Sequence, residues 1–166
     1  KVFKTKCNFR NIINSISLHF KNEAKRKGLD YILEINQDIP KWIISDELLI
    51  KQVLDNLLSN AIKFTKVGKI KLNVGCKEKN DKKNTMDLLI EVQDTGFGMA
   101  QDKVDKIFDS FSQIHKKGSI NERGSGLGLY ISTKIVYELG GSLTVSSELN
   151  KGSSFSVNLK EVEFSK

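Results

Sequence analysis

With 166 residues, of which 39% are hydrophobic and 28% charged, the chain has the size and balance of one soluble globular domain. No apolar run approaches the ~20 residues of a membrane-spanning helix, and the start KVFKTKCNF is too short in apolar residues for a secretory signal. The two cysteines lack CxxC spacing, which argues against a disulfide framework or a zinc site, so we expect a cytoplasmic location with reduced thiols.

The net charge of +7 raises the question of a nucleic-acid partner. The excess of basic residues lies mainly in residues 1–27 and in the run KEKNDKKN at residues 77–84. These segments are not interleaved with aromatic residues of the kind that stack on bases. A solvated helix face and a charged hairpin loop account for them, and we expect neither nucleic acid nor a membrane as a partner.

Hydrophobic periodicity and turn residues divide the chain into helices and strands. Apolar residues recur at helical spacing in the first segment, and Gly28 stands where such a helix would end. Ser45 or Asp46 can cap a second helix, and a later helix would end at Gly140 and Gly141. The predicted elements are a helix over about 9–27, a strand over 29–36, a helix over about 46–64, strands over 68–76 and 86–94, a short helix over 100–108, a helix over 127–139, and strands over 142–148 and 153–160.

This order of elements predicts helices on one face of a mixed, mostly antiparallel sheet. The strands at 68–76 and 86–94 flank the charged run and are expected to form an antiparallel hairpin. Residues 109–125 have little periodicity and many small or polar side chains. Such a segment is long for a connector in a compact domain, so it predicts a functional lid.

Polar side chains with little charge lie along one face of the predicted second helix. Asn56, Asn60 and Lys63 fall within about a third of the circumference together with Gln52 and Ser59, whereas the apolar residues occupy another side. An asparagine carbonyl is a hard oxygen suited to Mg²⁺, and a lysine can meet phosphate as a point charge. The face therefore predicts a ligand site. Asparagines satisfied at a helix packing edge remain the alternative.

Two glycine-rich segments of different design follow. DTGFGM at residues 94–99 begins with Asp94, where a strand ends, and a carboxylate there could accept a hydrogen bond from the exocyclic amine of adenine. A simple tight turn is the alternative. GSGLGL at residues 124–129 stands at the start of a helix, where backbone N–H groups and the helix dipole favour anions. It follows the irregular lid rather than a strand, which does not fit the dinucleotide-binding fingerprint.

Four motifs in one order carry a family resemblance. QVLDNLLSNAIKFT, DTGFGM, KIFDSFSQ and GSGLGL resemble the N, G1, F and G2 boxes of the ATP-binding catalytic domain of sensor histidine kinases, and the spacing is most similar to hybrid kinases. The resemblance covers about residues 8–160. It implies the Bergerat ATP-binding fold, an α/β (α+β) two-layer sandwich. It also implies that residues 1–166 form a single catalytic domain with a lid at about 109–125, while the dimerisation and receiver domains lie outside the chain.

The resemblance also implies a function and its residues. The cofactors would be ATP and Mg²⁺, and the γ-phosphate would pass to a histidine on a separate dimerisation domain of the same parent protein, with a response-regulator receiver domain downstream. Asn60 would bind Mg²⁺ with support from Asn56, Lys63 would contact phosphate, and Asp94 would hold the adenine amine. Phe108 would anchor the lid with Phe111. The other nucleotide contacts would be Phe64, Gly96, Gly98, Met99, Phe111, Arg123, Gly124, Ser125, Gly126, Leu127, Gly128 and Leu129.

Several positions depart from the family pattern. Leu49 stands where Arg is common, Glu47 where Pro is usual, and Ser110 where the F box has Pro. None of these removes an implied ligand, so we expect altered packing or lid mobility. Neither His19 nor His115 is followed by the acidic residue and nearby proline of the family's phosphoacceptor. The phosphorylated histidine is therefore expected on another domain.

Two other functions fit parts of the sequence. A stand-alone ATPase of the same superfamily would need a glutamate four residues before the metal-binding asparagine to activate water, and that position is Asn56. A nucleotide-binding pseudokinase that serves as an interaction module would tolerate the departures at Leu49 and Ser110, but Asn60, Asp94 and GSGLGL are intact. Transfer to a histidine therefore remains the preferred prediction.

Overall fold

The computed structural model describes residues 1–107 and 127–165, which form seven strands and four helices. No helix within those two ranges combines the length and the hydropathy of a membrane span. The strands are β1 (Thr5–Asn8), β2 (Asp30–Ile35), β3 (Trp42–Ser45), β4 (Lys69–Asn80), β5 (Thr85–Asp94), β6 (Gly141–Glu148) and β7 (Gly152–Ser165). The helices are α1 (Phe9–Arg26), α2 (Glu47–Lys63), α3 (residues 101–107) and α4 (Leu127–Glu138).

The strands form one open sheet in the order β1-β3-β7-β5-β4-β2, with β6 beside β7. Only the β2–β4 pair is parallel among the described pairs, and the other pairs are antiparallel. The predicted mixed, mostly antiparallel sheet is thus confirmed. The predicted hairpin is also present, but its charged loop is shorter than expected. β4 continues through the first half of the charged run to Asn80, which pairs with Thr85 at the start of β5.

Two strands, β1 and β3, were absent from the sequence prediction. Each has only four residues, which is too short for alternation to be recognised. β3 follows the only proline and pairs with β1 on one side and with β7 on the other. Cys7 and Ile43 face each other across the β1–β3 pair and are both buried. These strands therefore add core contacts that local patterning does not reveal.

The helices cover one face of the sheet. The apolar side of α2 is closed against the core, with Leu54, Leu57 and Leu58 each no more than 1% exposed. Each such side chain contributes about 1.5–3 kcal/mol of transfer free energy when fully buried. Leu49, at a departure from the family pattern, packs half-buried against the same core. The polar side of α2 is thereby left as the helix face available to a ligand.

Side chains cap the first turns of α1 and α2. The Asn8 side chain accepts a hydrogen bond from the backbone N–H of Asn11 at 3.1 Å. Asp46 accepts from Leu49 N at 3.2 Å with one oxygen and from Phe3 N at 2.8 Å with the other. Of the two predicted caps for α2, Asp46 is thus the one used, and it also ties the N-terminal segment to the helix.

A β-bulge around Asp87 bends the sheet. One residue of β5, Asp87, lies opposite Lys160 and Glu161 of β7, between the pairs Met86↔Val162 and Leu88↔Leu159. Its carboxylate accepts hydrogen bonds from Lys160 Nζ at 2.6 Å and from Glu161 N at 3.0 Å. These two donors hold the pKa of the Asp87 carboxyl below its ordinary 3.8. Before the bulge β7 pairs with β6, and after it β7 pairs with β3.

We predict that Asp87→Asn lowers the free energy of unfolding at neutral pH by up to about 1 kcal/mol, because the part-buried ion pair with Lys160 becomes a weaker bond from the ammonium group to a neutral amide oxygen. A lowered carboxyl pKa contributes stability above 3.8 that is lost as the pH falls through the folded-state value. The difference between variant and wild type should therefore shrink near about pH 3 in urea unfolding. A difference that stays constant with pH would contradict this role.

Candidate functional site

A cavity of about 600 Å³ opens between the last turns of α2, the turn after β5, and the first turn of α4. Its walls carry polar, aromatic and glycine residues that come from segments far apart in the sequence. The lining residues are Asn60, Ala61, Lys63, Phe64, Asp94, Phe97, Gly98, Met99, Lys103, Ile107, Gly128, Leu129, Ser153 and Phe155.

The polar side of α2 forms one wall of this cavity. Asn60 is half-buried on the wall, and Lys63 follows one turn later at the exposed end of the helix. Lys63 Nζ lies 5.3 Å from the ring centroid of Phe64, which is itself 44% exposed. The apolar side of the helix is fixed in the core, so packing holds the backbone that carries these groups in place.

Asp94 provides a carboxylate on the opposite wall. It continues the alternation of the buried residues Leu88, Ile90 and Val92, which directs its side chain to the helical face of the sheet. Burial raises the pKa of the Asp94 carboxyl above its ordinary 3.8, while hydrogen bonds from the backbone of Gly96 and Ser153 oppose the rise. Gly96 N donates to Asp94 Oδ1 at 2.9 Å.

The turn after Asp94 requires glycine at two positions. Gly98 has φ +61°, and a Cβ there would lie 2.0 Å from the carbonyl oxygen of Glu148. A Cβ on Gly96 would lie 2.3 Å from the carbonyl oxygen of Phe64. The same Phe64 oxygen accepts a hydrogen bond from Phe97 N at 3.2 Å. The glycines thus allow the turn to pack directly against the end of α2.

The first turn of α4 closes the third side. Gly128 and Leu129 line the cavity. Asn56 Nδ2 donates to the Gly128 carbonyl at 3.3 Å and to Ser132 Oγ at 3.1 Å. Asn56 is not among the described lining residues, and its amide joins α2 to α4. Its direct part in catalysis therefore remains a prediction.

The structure brings together most of the predicted site residues that it describes. The residues that line the cavity are Asn60, Lys63, Phe64, Asp94, Gly98, Met99, Gly128 and Leu129. Gly96 lies directly behind them, bonded to Asp94. The predictions for Phe108, Phe111, Arg123, Gly124, Ser125, Gly126 and the Leu127 side chain, and for the lid at about 109–125, lie outside the described residues.

Several lining residues were not foreseen. Ser153 lies directly opposite Asp94 in the β5–β7 pair, and Phe155 follows on the same face of β7. Strand alternation could have predicted that both side chains face the helices. It could not have predicted that they lie beside Asp94, because the pairing register depends on the tertiary structure. Lys103 and Ile107 lie one turn apart on α3. Ile107 lies in the KIFDSFSQ motif but was not assigned to the site, and no motif marked Lys103, because their place depends on how α3 packs.

The other face of the sheet carries a second groove of about 540 Å³ near the same end of β5. Lys71, Gln93 and Ser154 line it, and these residues alternate with buried ones along their strands. Lys71 is paired with Glu34 at 3.0 Å. This groove has no contribution from the helices, so it lacks the helix terminus and the amide-bearing helix face found in the cavity.

The cavity suits a metal ion that is held mainly by the phosphates of a bound ligand and only in part by protein side chains. Within residues 1–107 and 127–165, no group of three or more His, Cys, Asp or Glu residues is arranged to hold a metal. Asn60 offers one hard oxygen on the cavity wall. Mg²⁺ commonly keeps several waters and binds through one or two protein groups together with substrate phosphates. The donor set therefore fits Mg²⁺ only as a partner of a phosphate ligand.

Comparison with known proteins agrees with this fold. The family of histidine kinase-, DNA gyrase B-, and HSP90-like ATPases matches residues 45–163. The chain therefore belongs to this ATPase family.

Individual relatives are sensor kinases. The chain is 37% identical over 138 residues to the aerobic respiration control sensor protein ArcB of Escherichia coli (strain K12), a match that covers 82% of this chain and 17% of ArcB. It is 38% identical over 146 residues to hybrid signal transduction histidine kinase B of Dictyostelium discoideum, covering 88% of this chain and 7% of that protein. The chain thus spans less than a fifth of the length of these curated relatives.

Solved structures show the same architecture. Full-length ShkA in complex with AMPPNP matches with a TM-score of 0.78 at 25% identity, over 99% of this chain and 32% of ShkA. A nucleotide-free catalytic domain of histidine kinase ThkA matches with a TM-score of 0.75 at 27% identity, over 96% of this chain and 98% of that domain. The predicted fold class, an α/β sandwich like that of histidine kinase catalytic domains, is confirmed.

We predict that Gly98→Ala destabilises the protein by about 1–3 kcal/mol, because alanine disfavours the left-handed backbone and its Cβ would clash with the Glu148 carbonyl. Thermal unfolding measures the loss. Gly75→Ala is the matched control, since a Cβ at that position in β4 meets no atom within 4 Å. Equal melting temperatures for the two variants would show that the turn tolerates a side chain.

Proposed function

We propose that this chain binds Mg-ATP in the cavity and presents the γ-phosphate to a histidine on a separate dimerisation domain of the same parent protein. The observation that carries the proposal is the arrangement of opposed groups around one cavity. A half-buried carboxylate, Asp94, lies on one wall, while Asn60 and Lys63 lie on α2 and the first turn of α4 completes the enclosure.

Each group suits one part of the nucleotide. The Asp94 carboxylate can accept a hydrogen bond from the exocyclic amine of adenine, and guanine presents a carbonyl at the corresponding position. The half-exposed ring of Phe64 gives the cavity an apolar surface beside α2. Lys63 and the backbone N–H groups at the start of α4 can stabilise phosphate oxygens. The adenine end and the phosphate end of ATP are thereby distinguished.

The chain's contribution to phosphoryl transfer would be positioning and electrostatic stabilisation. Asn60 would supply one oxygen to Mg²⁺, and the bound ion would offset charge on the phosphates. Asp94 is the only carboxylate among the described residues that line the cavity, and its proposed role is at the adenine. No described lining residue is thus placed to activate water, which favours transfer to an external nucleophile over a stand-alone ATPase.

The accepting histidine is proposed to lie outside this chain. His19 is exposed on α1 and stacks edge-on against Phe20 with 4.9 Å between ring centroids, away from the cavity lining. The sensor-kinase relatives are several times longer than the matched segment, which supports partner domains in the same polypeptide. A receiver domain downstream and a cytoplasmic location, where ATP is available, complete the proposal.

We predict that Asp94→Asn raises the dissociation constant for ATP by about 10- to 100-fold and that for GTP far less, since a neutral amide oxygen accepts more weakly from the adenine amine than a charged carboxylate does, and guanine presents no amine there. Calorimetric titration with both nucleotides measures the two constants. ATP affinity of the wild type should also fall on acidification, beginning above pH 3.8 because burial raises the carboxyl pKa. Asp87→Asn, remote from the cavity, is the isosteric control. Equal losses for ATP and GTP would exclude the adenine assignment.

We predict that Asn60→Asp makes ATP binding depend more strongly on Mg²⁺, because the added charge repels bare phosphates and attracts the ion. The ratio of dissociation constants without and with Mg²⁺ should rise by about fivefold or more after screening by salt. Asn73→Asp, half-buried in β4 on the other face of the sheet, controls for charge alone. An unchanged ratio in the Asn60 variant would remove this residue from the metal site.

A further inference from the structure

We propose that Lys27 is a positioning residue for the nucleotide site, a role that rests on the proposed function above. Lys27 does not line the cavity. It binds the backbone at the end of α2 and thereby holds the turn that carries Asn60, Lys63 and Phe64. Lys27 would thus maintain the shape of the site without contacting the nucleotide.

The Lys27 ammonium group lies among three carbonyl oxygens. Its Nζ donates to Ile62 O at 2.6 Å, to Thr65 O at 3.2 Å and to Lys63 O at 3.4 Å. A lysine has three N–H donors, so this arrangement uses its full donor capacity. The carbonyls belong to the last residues of α2 and to the segment immediately after it. The side chain therefore acts as a cationic cap on the helix.

The base of the Lys27 side chain is also fixed. Lys27 is the C-cap residue of α1, and its backbone N–H bonds to the carbonyls of Ala24 and Glu23. Gly28 follows with φ +74°, which turns the chain into β2. The ends of α1 and α2 are thus joined through one side chain, and the anchor is independent of the cavity.

The end of α2 needs such a partner. The last four carbonyls of a helix have no intrahelical donor, and their dipoles favour a nearby cation. Phe64 N bonds to Asn60 O at 3.0 Å, and the buried Thr65 hydroxyl bonds to Ala61 O at 2.7 Å. Among the later carbonyls, Ile62 O also accepts a long bond from Thr65 N at 3.4 Å, and Lys27 adds the cationic donor. Without the ammonium group, these carbonyls would lose their charged partner and the last turn would fray more readily.

Fraying there would disturb two walls of the cavity together. Asn60, Lys63 and Phe64 belong to this turn or follow it directly. The Phe64 carbonyl also receives the hydrogen bond from Phe97 N that joins α2 to the turn after Asp94. Loss of the cap should therefore weaken the binding of the whole nucleotide through the backbone, although no group in contact with the nucleotide is removed.

The test is calorimetric binding of Mg-ATP to the 166-residue chain and its Lys27→Met variant. Lys25→Met, exposed in the same last turn of α1, controls for loss of a positive charge. Lys27→Arg keeps a cationic donor and should restore the affinity for Mg-ATP. Lys27→Gln retains a polar side chain of similar reach and replaces the methionine variant if that variant does not fold.

A second control separates positioning from general stability. Arg10 holds the carbonyls of Asn36, Gln37 and Ile39 near the start of α1. This position is ~26 Å along the helix from Lys27, at 1.5 Å per residue. Arg10→Ala therefore removes a comparable set of side-chain to backbone hydrogen bonds far from the cavity. Its melting temperature and its affinity are compared with those of the Lys27 variant.

We expect Lys27→Met to raise the dissociation constant for Mg-ATP by about fivefold, and Lys27→Arg to stay within about twofold of wild type. The dissociation constants of the controls Lys25→Met and Arg10→Ala should equal that of wild type. Wild-type affinity in Lys27→Met would overturn the inference. Equal weakening by Arg10→Ala at an equal loss of melting temperature would reduce Lys27 to a general stabilising residue and would also overturn it. Absence of binding by the wild type would instead contradict the proposed function.

Discussion

The contact between the end of α2 and the turn after β5 is the constraint on which the rest of the site depends. Phe97 N donates to the Phe64 carbonyl, and Gly96 leaves the space that this approach needs. A side chain at Gly96 would push the two backbones apart. Because Asn60 and Asp94 lie on opposite sides of this contact, it sets the distance between the two ends of the cavity.

The charges around the cavity favour an asymmetric ligand. Asp94 is a half-buried carboxylate whose desolvation is only partly offset by backbone N–H groups, so a ligand amine would complete its hydrogen bonding. Lys63 and Lys103 provide positive charge elsewhere on the lining. A molecule with an amine on a flat ring at one end and phosphates at the other meets both requirements. The groove on the other face of the sheet is lined by Asp94, Lys69 and Lys71 as well, but its described lining has no helix terminus and no asparagine-bearing helix face.

The sequence predicted the helices, the longer strands and the polar face of α2 because periodicity and capping are local properties. Asp94 was also accessible, since strand alternation places it on the buried side. β1 and β3 were missed because four residues carry no period, and the place of Ser153 depends on register. The bonds from Asn56 to α4 and from Lys27 to α2 join distant segments, so no local pattern could have revealed them.

The central claim is that the cavity beside α2 is the ATP site. Two-dimensional amide NMR of the labelled chain during titration with Mg-ATP tests it most directly, because Gly96 and Gly98 report on the turn after Asp94 and Gly128 reports on the first turn of α4. The account predicts saturable shifts at these glycines and at Asn60, with little change at Lys71 and Ser154 on the other face. Shifts confined to Lys71 and Ser154, or no shifts at millimolar ATP, would contradict it.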